Sequence, residues 1–203
     1  MELYLITNRK LCDEDIFLNV IKEASYSGVD KIILREKDLP TVKLEKLYKD
    51  ILSVINTDCK VIINSNINLA KKYDAYGVQL SFRDFIQYNG SCGIKENIKF
   101  NGVVGVSIHS LEEAKEAEVL GADYILASHI YPTKCKEGLE PRGIEFIEEI
   151  CKNTMLKVIG LGGISKYNFQ EVVEAGASGI AVMSQIMGAN NIYNSVNGFI
   201  KNF

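Results

Sequence analysis

Hydrophobic positions change their period repeatedly along this chain. Apolar runs of about four residues alternate with longer segments that carry an apolar residue every third or fourth position. The short runs fall at 3–6, 31–34, 60–63, 77–80, 103–106, 123–126, 157–160 and 179–182. They are short and rich in β-branched residues, as strands buried on both faces should be. The segments between them read as amphipathic helices. Ile16, Phe17, Val20, Ile21 and Ala24 form one stripe, which Gly28 can end. Leu44, Leu47, Tyr48, Ile51, Val54 and Ile55 form another. Ser110 with Glu113 predicts a capping box before the helix that follows the fifth strand.

A weak internal repeat supports this layout. Ser27-Gly28-Val29-Asp30, Leu120-Gly121-Ala122-Asp123 and Ala175-Gly176-Ala177-Ser178 each close a helix with glycine and enter a strand within a few residues. Eight strands alternating with helices predict a single-domain (β/α)8 TIM barrel spanning residues 1–203. An open doubly wound sheet is the alternative, and the strand count favours the barrel. The stretch Tyr88-Asn89-Gly90-Ser91-Cys92-Gly93 reads as a loop, and the Asn-rich tail from Asn190 as a final short helix.

Composition narrows the function. With 23 Lys+Arg against 26 Asp+Glu, the net charge of −3 gives no electrostatic reason to expect nucleic acid or a membrane surface as partner. No apolar run approaches the ~18 residues of a spanning helix, and the chain opens on a strand-like run rather than a signal peptide. Cys12, Cys59, Cys92, Cys135 and Cys151 show no CxxC spacing, so reduced thiols and a cytoplasmic location are expected. Nothing in the pattern sets the oligomeric state, and a homo-oligomer is compatible with it.

In a barrel, the residues just past each strand share one rim. Here they are Arg35, Glu36 and Lys37, then Asn64, then Gln79 and Asp84, then Ser107 and His109, then His129, Gly162 with Gly163, and Met183 with Ser184. His129 opens the loop Ile130-Tyr131-Pro132-Thr133-Lys134-Cys135-Lys136. An imidazole can shuttle protons near neutral pH. A structural histidine satisfied by backbone is the alternative for His129, and for His109 bracing of the next helix is the favoured reading. Gly160-Leu161-Gly162-Gly163-Ile164-Ser165 brings backbone amides close to an anion beside a helix N-terminus, and Met183-Ser184 adds amides and a hydroxyl. Loops after strands seven and eight form the usual phosphate site of such barrels; tight turns alone are the competing account of these glycines. Arg35 and Lys37 can hold an anionic substrate or belong to an ion-paired rim. Lys134 and Lys136 can close over a ligand or remain solvated. No His/Cys/Asp spacing suits zinc.

Leu34-Arg35-Glu36-Lys37, Gly105-Val106-Ser107-Ile108-His109-Ser110, Gly121-Ala122-Asp123-Tyr124, Gly162-Gly163-Ile164 and Gly179-Ile180-Ala181-Val182-Met183-Ser184 together resemble the thiamine phosphate synthase/TenI superfamily over nearly the whole chain. The resemblance implies a (β/α)8 barrel. The synthase branch joins a pyrimidine pyrophosphate to a thiazole phosphate with Mg2+ on two aspartates. Asp84 matches the second aspartate, and Ser65 stands at the first. Ile33 replaces a usual glutamine, and Pro132-Thr133-Lys134-Cys135-Lys136 departs from Pro-Thr-x-Thr-Lys.

The run from His129 through Cys135-Lys136-Glu137-Gly138-Leu139-Glu140-Pro141-Arg142-Gly143 is similar to the TenI thiazole tautomerases, with Ser128 where that group tends to have glycine. That resemblance implies an isomerase without cofactor or metal, acting on a small phosphorylated thiazole carboxylate. His129 would move the proton. Gly162, Gly163, Met183 and Ser184 would hold the phosphate, and Arg35, Lys37, Asn64, Ser107, Thr133 and Lys136 would surround the rest. The alternatives are a synthase with Mg2+ on Asp84, and a non-catalytic phosphate-ligand-binding protein.

Overall fold

All eight apolar runs form strands in a computed structural model that describes residues 1–89 and 93–200. They are β1 (Glu2–Ile6), β2 (Lys31–Leu34), β3 (Lys60–Asn64), β4 (Gly77–Ser81), β5 (Val103–Ile108), β6 (Tyr124–Ser128), β7 (Lys157–Leu161) and β8 (Gly179–Val182). Each pairs in parallel with its sequence neighbour, and β8 pairs with β1, so the sheet closes into a (β/α)8 barrel. The helices are α1 (Phe17–Ser27), α2 (Thr41–Val54), α3 (Ile67–Lys72), α4 (Phe82–Tyr88), α5 (Ile94–Ile98), α6 (Leu111–Val119), α7 (Gly143–Asn153), α8 (Phe169–Glu174), α9 (Ser184–Met187) and α10 (Ile192–Ile200).

Alternation along each strand divides the core in two. On β5, Val104, Val106 and Ile108 pack under the helices, whereas Val103 belongs to the barrel interior with Tyr4, Ile33, Ile62, Tyr124 and Ile159. Apart from the half-buried Val103, both sets are buried, which is why the strands read as unbroken apolar runs.

The three repeat units adopt one geometry. Gly28, Gly121 and Gly176 have φ of 116°, 87° and 105°, in the left-handed region that favours glycine. In each, the residue after the glycine donates its N–H back into the last helical turn: Val29 to Ala24 O, Ala122 to Ala117 O and Ala177 to Val172 O. The next residue opens the strand pairing, Asp30 to Leu3 O, Asp123 to Val104 O and Ser178 to Val158 O. The Asp30 and Asp123 carboxylates also accept from the Leu3 and Val104 N–H groups, at 2.7 and 2.6 Å.

Several local expectations change. Ile16 precedes α1 and is exposed, so the first stripe begins at Phe17. The Ser110 hydroxyl accepts from the Glu113 N–H at 3.2 Å, but the Glu113 carboxylate bonds the His109 N–H at 2.6 Å rather than that of the cap residue. The box is therefore displaced by one residue. The predicted loop at 88–93 is partly α4, ending at Tyr88, and its residues 90–92 lie outside the described residues. The tail helix is α10, which packs beside α1. Among the described residues no helix is long and apolar enough to cross a membrane.

A Cβ at Gly121 would meet nothing within 4 Å, so replacement there tests backbone conformation alone. Gly121→Ala should lower unfolding stability by roughly 1–2 kcal/mol. Urea titration should show this as a lower midpoint with an unchanged slope.

Candidate functional site at the barrel mouth

On the β1–β2 side of the mouth, the Glu36 carboxylate is buried and accepts from the Arg9 N–H and from Arg9 Nη1, both at 3.1 Å. Arg9 also grips Asp38 through two bonds, of 2.7 and 2.8 Å. The Arg9 guanidinium, aided by Lys10, holds the Asp38 carboxyl well below the usual carboxylate range. Glu36 is thus consumed by the loop after β1. Arg35, whose N–H donates to Thr7 Oγ1, and Lys37 form no ion pair among the described residues. Lys37 lines a cavity of about 850 Å3 together with Asn64, Ser65 and Lys71.

At the ends of β3 and β4, Asn64 Nδ2 donates to Ser65 Oγ at 2.9 Å, and the Ser65 N–H donates to the Gln79 carbonyl at 2.8 Å. Ser65 has φ of 61°, an uncommon conformation for a residue other than glycine. Asp84 accepts from Ser81 Oγ at 2.8 Å. No group of three His, Cys, Asp or Glu side chains gathers to hold a metal ion among the described residues. Ile33, where synthases usually carry glutamine, is buried in the barrel interior.

The β5–β6 side departs most from expectation. His109 continues the inward positions of β5, and the following helix engages both its backbone N–H and its ring through Glu113. Its ring is 41% exposed and stands 3.8 Å from Glu113. Burial, and then the Lys136 ammonium, push its imidazole titration below the ordinary range against the opposing pull of the Glu113 carboxylate, with Arg142 and His129 adding to the downward shift. His109 therefore belongs to the mouth as well as to the helix cap. The contacts with Glu113 accord with the reading of His109 as a brace for the next helix.

His129 follows a cis peptide from Ser128, and its carbonyl accepts from the Arg142 N–H at 2.9 Å. Its side chain is buried against Gly162, and ring Nε2 has no hydrogen-bond partner among the described residues. Thr133 Oγ1 accepts from the Cys135 N–H at 3.4 Å and so caps the turn Lys134–Lys136. Lys136 is half-buried, and Lys134 is exposed.

After β7, Gly162 and Gly163 have φ of 102° and 68°. A side chain on Gly162 would strike His129, and one on Gly163 would come within 2.6 Å of the Pro132 carbonyl oxygen. Their carbonyls accept from the Tyr131 N–H at 3.0 Å and from Asn168 Nδ2 at 3.2 Å. These conformations and close contacts fit the tight-turn account of the glycines. One expectation is corrected: no helix begins at these glycines, because the Ser165–Asn168 turn intervenes and α8 starts at Phe169. The helix end beside the loop is that of α9, which begins at Ser184 directly after Met183.

The pairing of Arg9 with Glu36, of Tyr124 with Gln79 and of Arg142 with His129 was not anticipated from the sequence. Their roles depend on contacts 13 to 45 residues apart, for which local pattern carries no signal.

Residues 3–186 match the family model described as thiamine monophosphate synthase. The thiamine-phosphate synthase of Pyrococcus furiosus is 35% identical over 193 residues, 95% of this chain and 89% of that protein. The thiamine-phosphate synthase of Clostridium acetobutylicum is 33% identical over 192 residues, covering 94% and 89%. A solved thiamine phosphate pyrophosphorylase from P. furiosus superposes with a TM-score of 0.83 at 32% identity, covering 98% of this chain and 94% of the other.

The influence of the Lys136 charge on His109 is directly testable. A positive ammonium disfavours a second positive charge, so Lys136→Met should move the His109 titration midpoint upward. Two-dimensional NMR of the imidazole protons across pH 5 to 8 checks this, and an unmoved or lowered midpoint would contradict the geometry.

Proposed function

Because this chain belongs to the thiamine monophosphate synthase family, we propose that it binds a phosphorylated thiazole at the C-terminal mouth of the barrel and joins it to a hydroxymethylpyrimidine pyrophosphate. The observation that carries this reading is the near full-length similarity to proteins named thiamine-phosphate synthase. In that reaction the thiazole nitrogen bonds to the pyrimidine methylene carbon, and the carbon–oxygen bond to pyrophosphate breaks with its electron pair leaving on oxygen. The chain's task is to orient two ligands and balance charge on the leaving group. The Gly162–Gly163 loop and Ser184 would hold the thiazole phosphate. Arg35, Lys37 and Lys136, none of them in an ion pair among the described residues, would face the pyrophosphate.

The family reaction implies Mg2+, and the residues present fit it only in part. Asp84 supplies one carboxylate, while Ser65 offers a hydroxyl where a second would stand. One protein carboxylate plus substrate phosphates is a known way to hold Mg2+. Bound so, with Asp84 as its protein ligand, the ion would neutralise pyrophosphate charge.

Two observations favour a second reading, a thiazole tautomerase. Ser65 removes a hard oxygen ligand, and His129 is buried at the end of β6 with its Nε2 unpartnered. In this reading His129 takes the ring proton beside the carboxylate and returns a proton to the exocyclic carbon. Aromatisation of the thiazole drives the shift, so the chain needs only to position the ligand and shuttle the proton.

One experiment separates the two. The protein is given both phosphorylated halves with Mg2+, and separately the non-aromatic thiazole carboxylate phosphate tautomer alone. Synthase action should yield thiamine phosphate in the first mixture, with Lys136→Ala lowering kcat by about 10²-fold. If no thiamine phosphate forms, but absorbance shows rapid aromatisation that falls about 10²-fold or more in His129→Ala, the second reading replaces the first. Tight thiazole phosphate binding without either reaction would identify a non-catalytic binding protein.

A further inference from the structure

Gln79 is a buried amide, only 2% exposed, at an inward-facing position of a barrel otherwise lined mainly by Ile, Leu, Ala and Tyr. A buried amide is costly unless its donors and acceptor are paired. The parallel register places Gln79 opposite Gly105, and Gly105 opposite Tyr124. Glycine in the middle opens the path, since a Cβ there would collide with both the Tyr124 ring and Gln79 Oε1. Tyr124 reaches across β5, and its hydroxyl donates to Gln79 Oε1 at 2.6 Å. Gln79 Nε2 donates to Ser107 Oγ at 3.0 Å, one step further up the inward face of β5. Nε2 also lies 3.3 Å from the Leu80 carbonyl oxygen. That last contact settles the amide's orientation, because the reverse arrangement would set two oxygens against each other.

We infer that Gln79 is a positioning residue that makes Ser107 a hydrogen-bond donor toward the ligand in the mouth. A hydroxyl has one hydrogen and two lone pairs. The inner lone pair of Ser107 receives the Gln79 N–H, so its own hydrogen cannot point inward and is presented to the mouth. The ligand group it matches is an acceptor: a ring nitrogen, a carboxylate oxygen or a phosphate oxygen. A donor at that place would meet a second donor. The inference rests on the proposed binding of a phosphorylated thiazole at this rim. It adds a polarity to the site and traces it to a side chain in the barrel interior.

Gln79→Glu tests the polarity. An ionised carboxylate would draw the Ser107 hydrogen inward, whereas a protonated one can donate to Ser107 as the amide does. The KM for the thiazole phosphate should therefore rise about tenfold at high pH, with a smaller change in kcat. The deficit should shrink as pH falls and the introduced carboxyl protonates. In a Ser107→Ala background the same substitution should change KM less than about twofold. A loss that is independent of pH, or equal with and without Ser107, would make Gln79 merely structural and overturn the inference.

A ligand-free arm keeps the test independent of the functional reading. In Ser107→Cys the Gln79 N–H should stabilise a thiolate, so adding Gln79→Met should slow alkylation at that cysteine about tenfold, followed by mass spectrometry of the modified peptide. Unchanged or faster alkylation overturns the inference. If the wild-type protein neither binds nor converts the thiazole phosphate, the functional reading falls while the alkylation result still decides the relay.

Discussion

A closed parallel barrel leaves each strand side chain two destinations, the helix layer or the interior, and the rest of this molecule depends on that division. On β5 it sends Val104, Val106 and Ile108 outward, and Val103, Gly105 and Ser107 inward. The inward row continues to His109 at the mouth, so one strand carries both core packing and candidate chemistry. Closure also removes free strand edges, so backbone groups are paired around the ring and polar side chains can collect where the strands end.

The mouth has two unlike halves. Around β2 and β3 it is a roomy cavity edged by Lys37, Lys71, Asn64 and Ser65, and the Arg9–Glu36 ion pair keeps the neighbouring carboxylate from neutralising Arg35. From β5 to β8 it carries His109, His129 and Lys136, and the space a side chain would need at Gly162 and Gly163 is filled by His129, Tyr131 and Pro132. The first half suits a diffuse negative charge, and the second suits a smaller phosphate and a proton-bearing heterocycle.

Much of the frame was legible in the chain. The predicted strands agree with the observed ones to within two residues at each end, because strands covered on both faces leave uninterrupted apolar runs. The glycine repeat was also a sound guide, since Gly28, Gly121 and Gly176 all adopt left-handed turns with matching backbone bonds. Local signals failed where two features compete for one residue. The apolar stripe suggested that Ile16 is helical, yet the helix starts one residue later and leaves Ile16 exposed. The glycines after β7 suggested an adjacent helix end, but the turn from Ser165 to Asn168 separates them from α8. His109 read as a brace because its neighbours form a cap, which says nothing about where its ring points.

Periodicity, helix-ending glycines and the order of polar residues after each strand were enough to define the barrel and to put His129, Ser107, Arg35 and the glycine loop on one rim. Those features are local: they follow from side-chain alternation and from backbone angles that glycine adopts most readily. Tertiary structure alone decided that Glu36 belongs to Arg9, that the His109 ring shares the mouth with Lys136, and that Tyr124 orients Gln79 against Ser107. Each of these joins residues 27 to 45 positions apart. The sign of a hydrogen bond or the neutralisation of a charge depends on the partner across the barrel, and only its closure determines which partner that is.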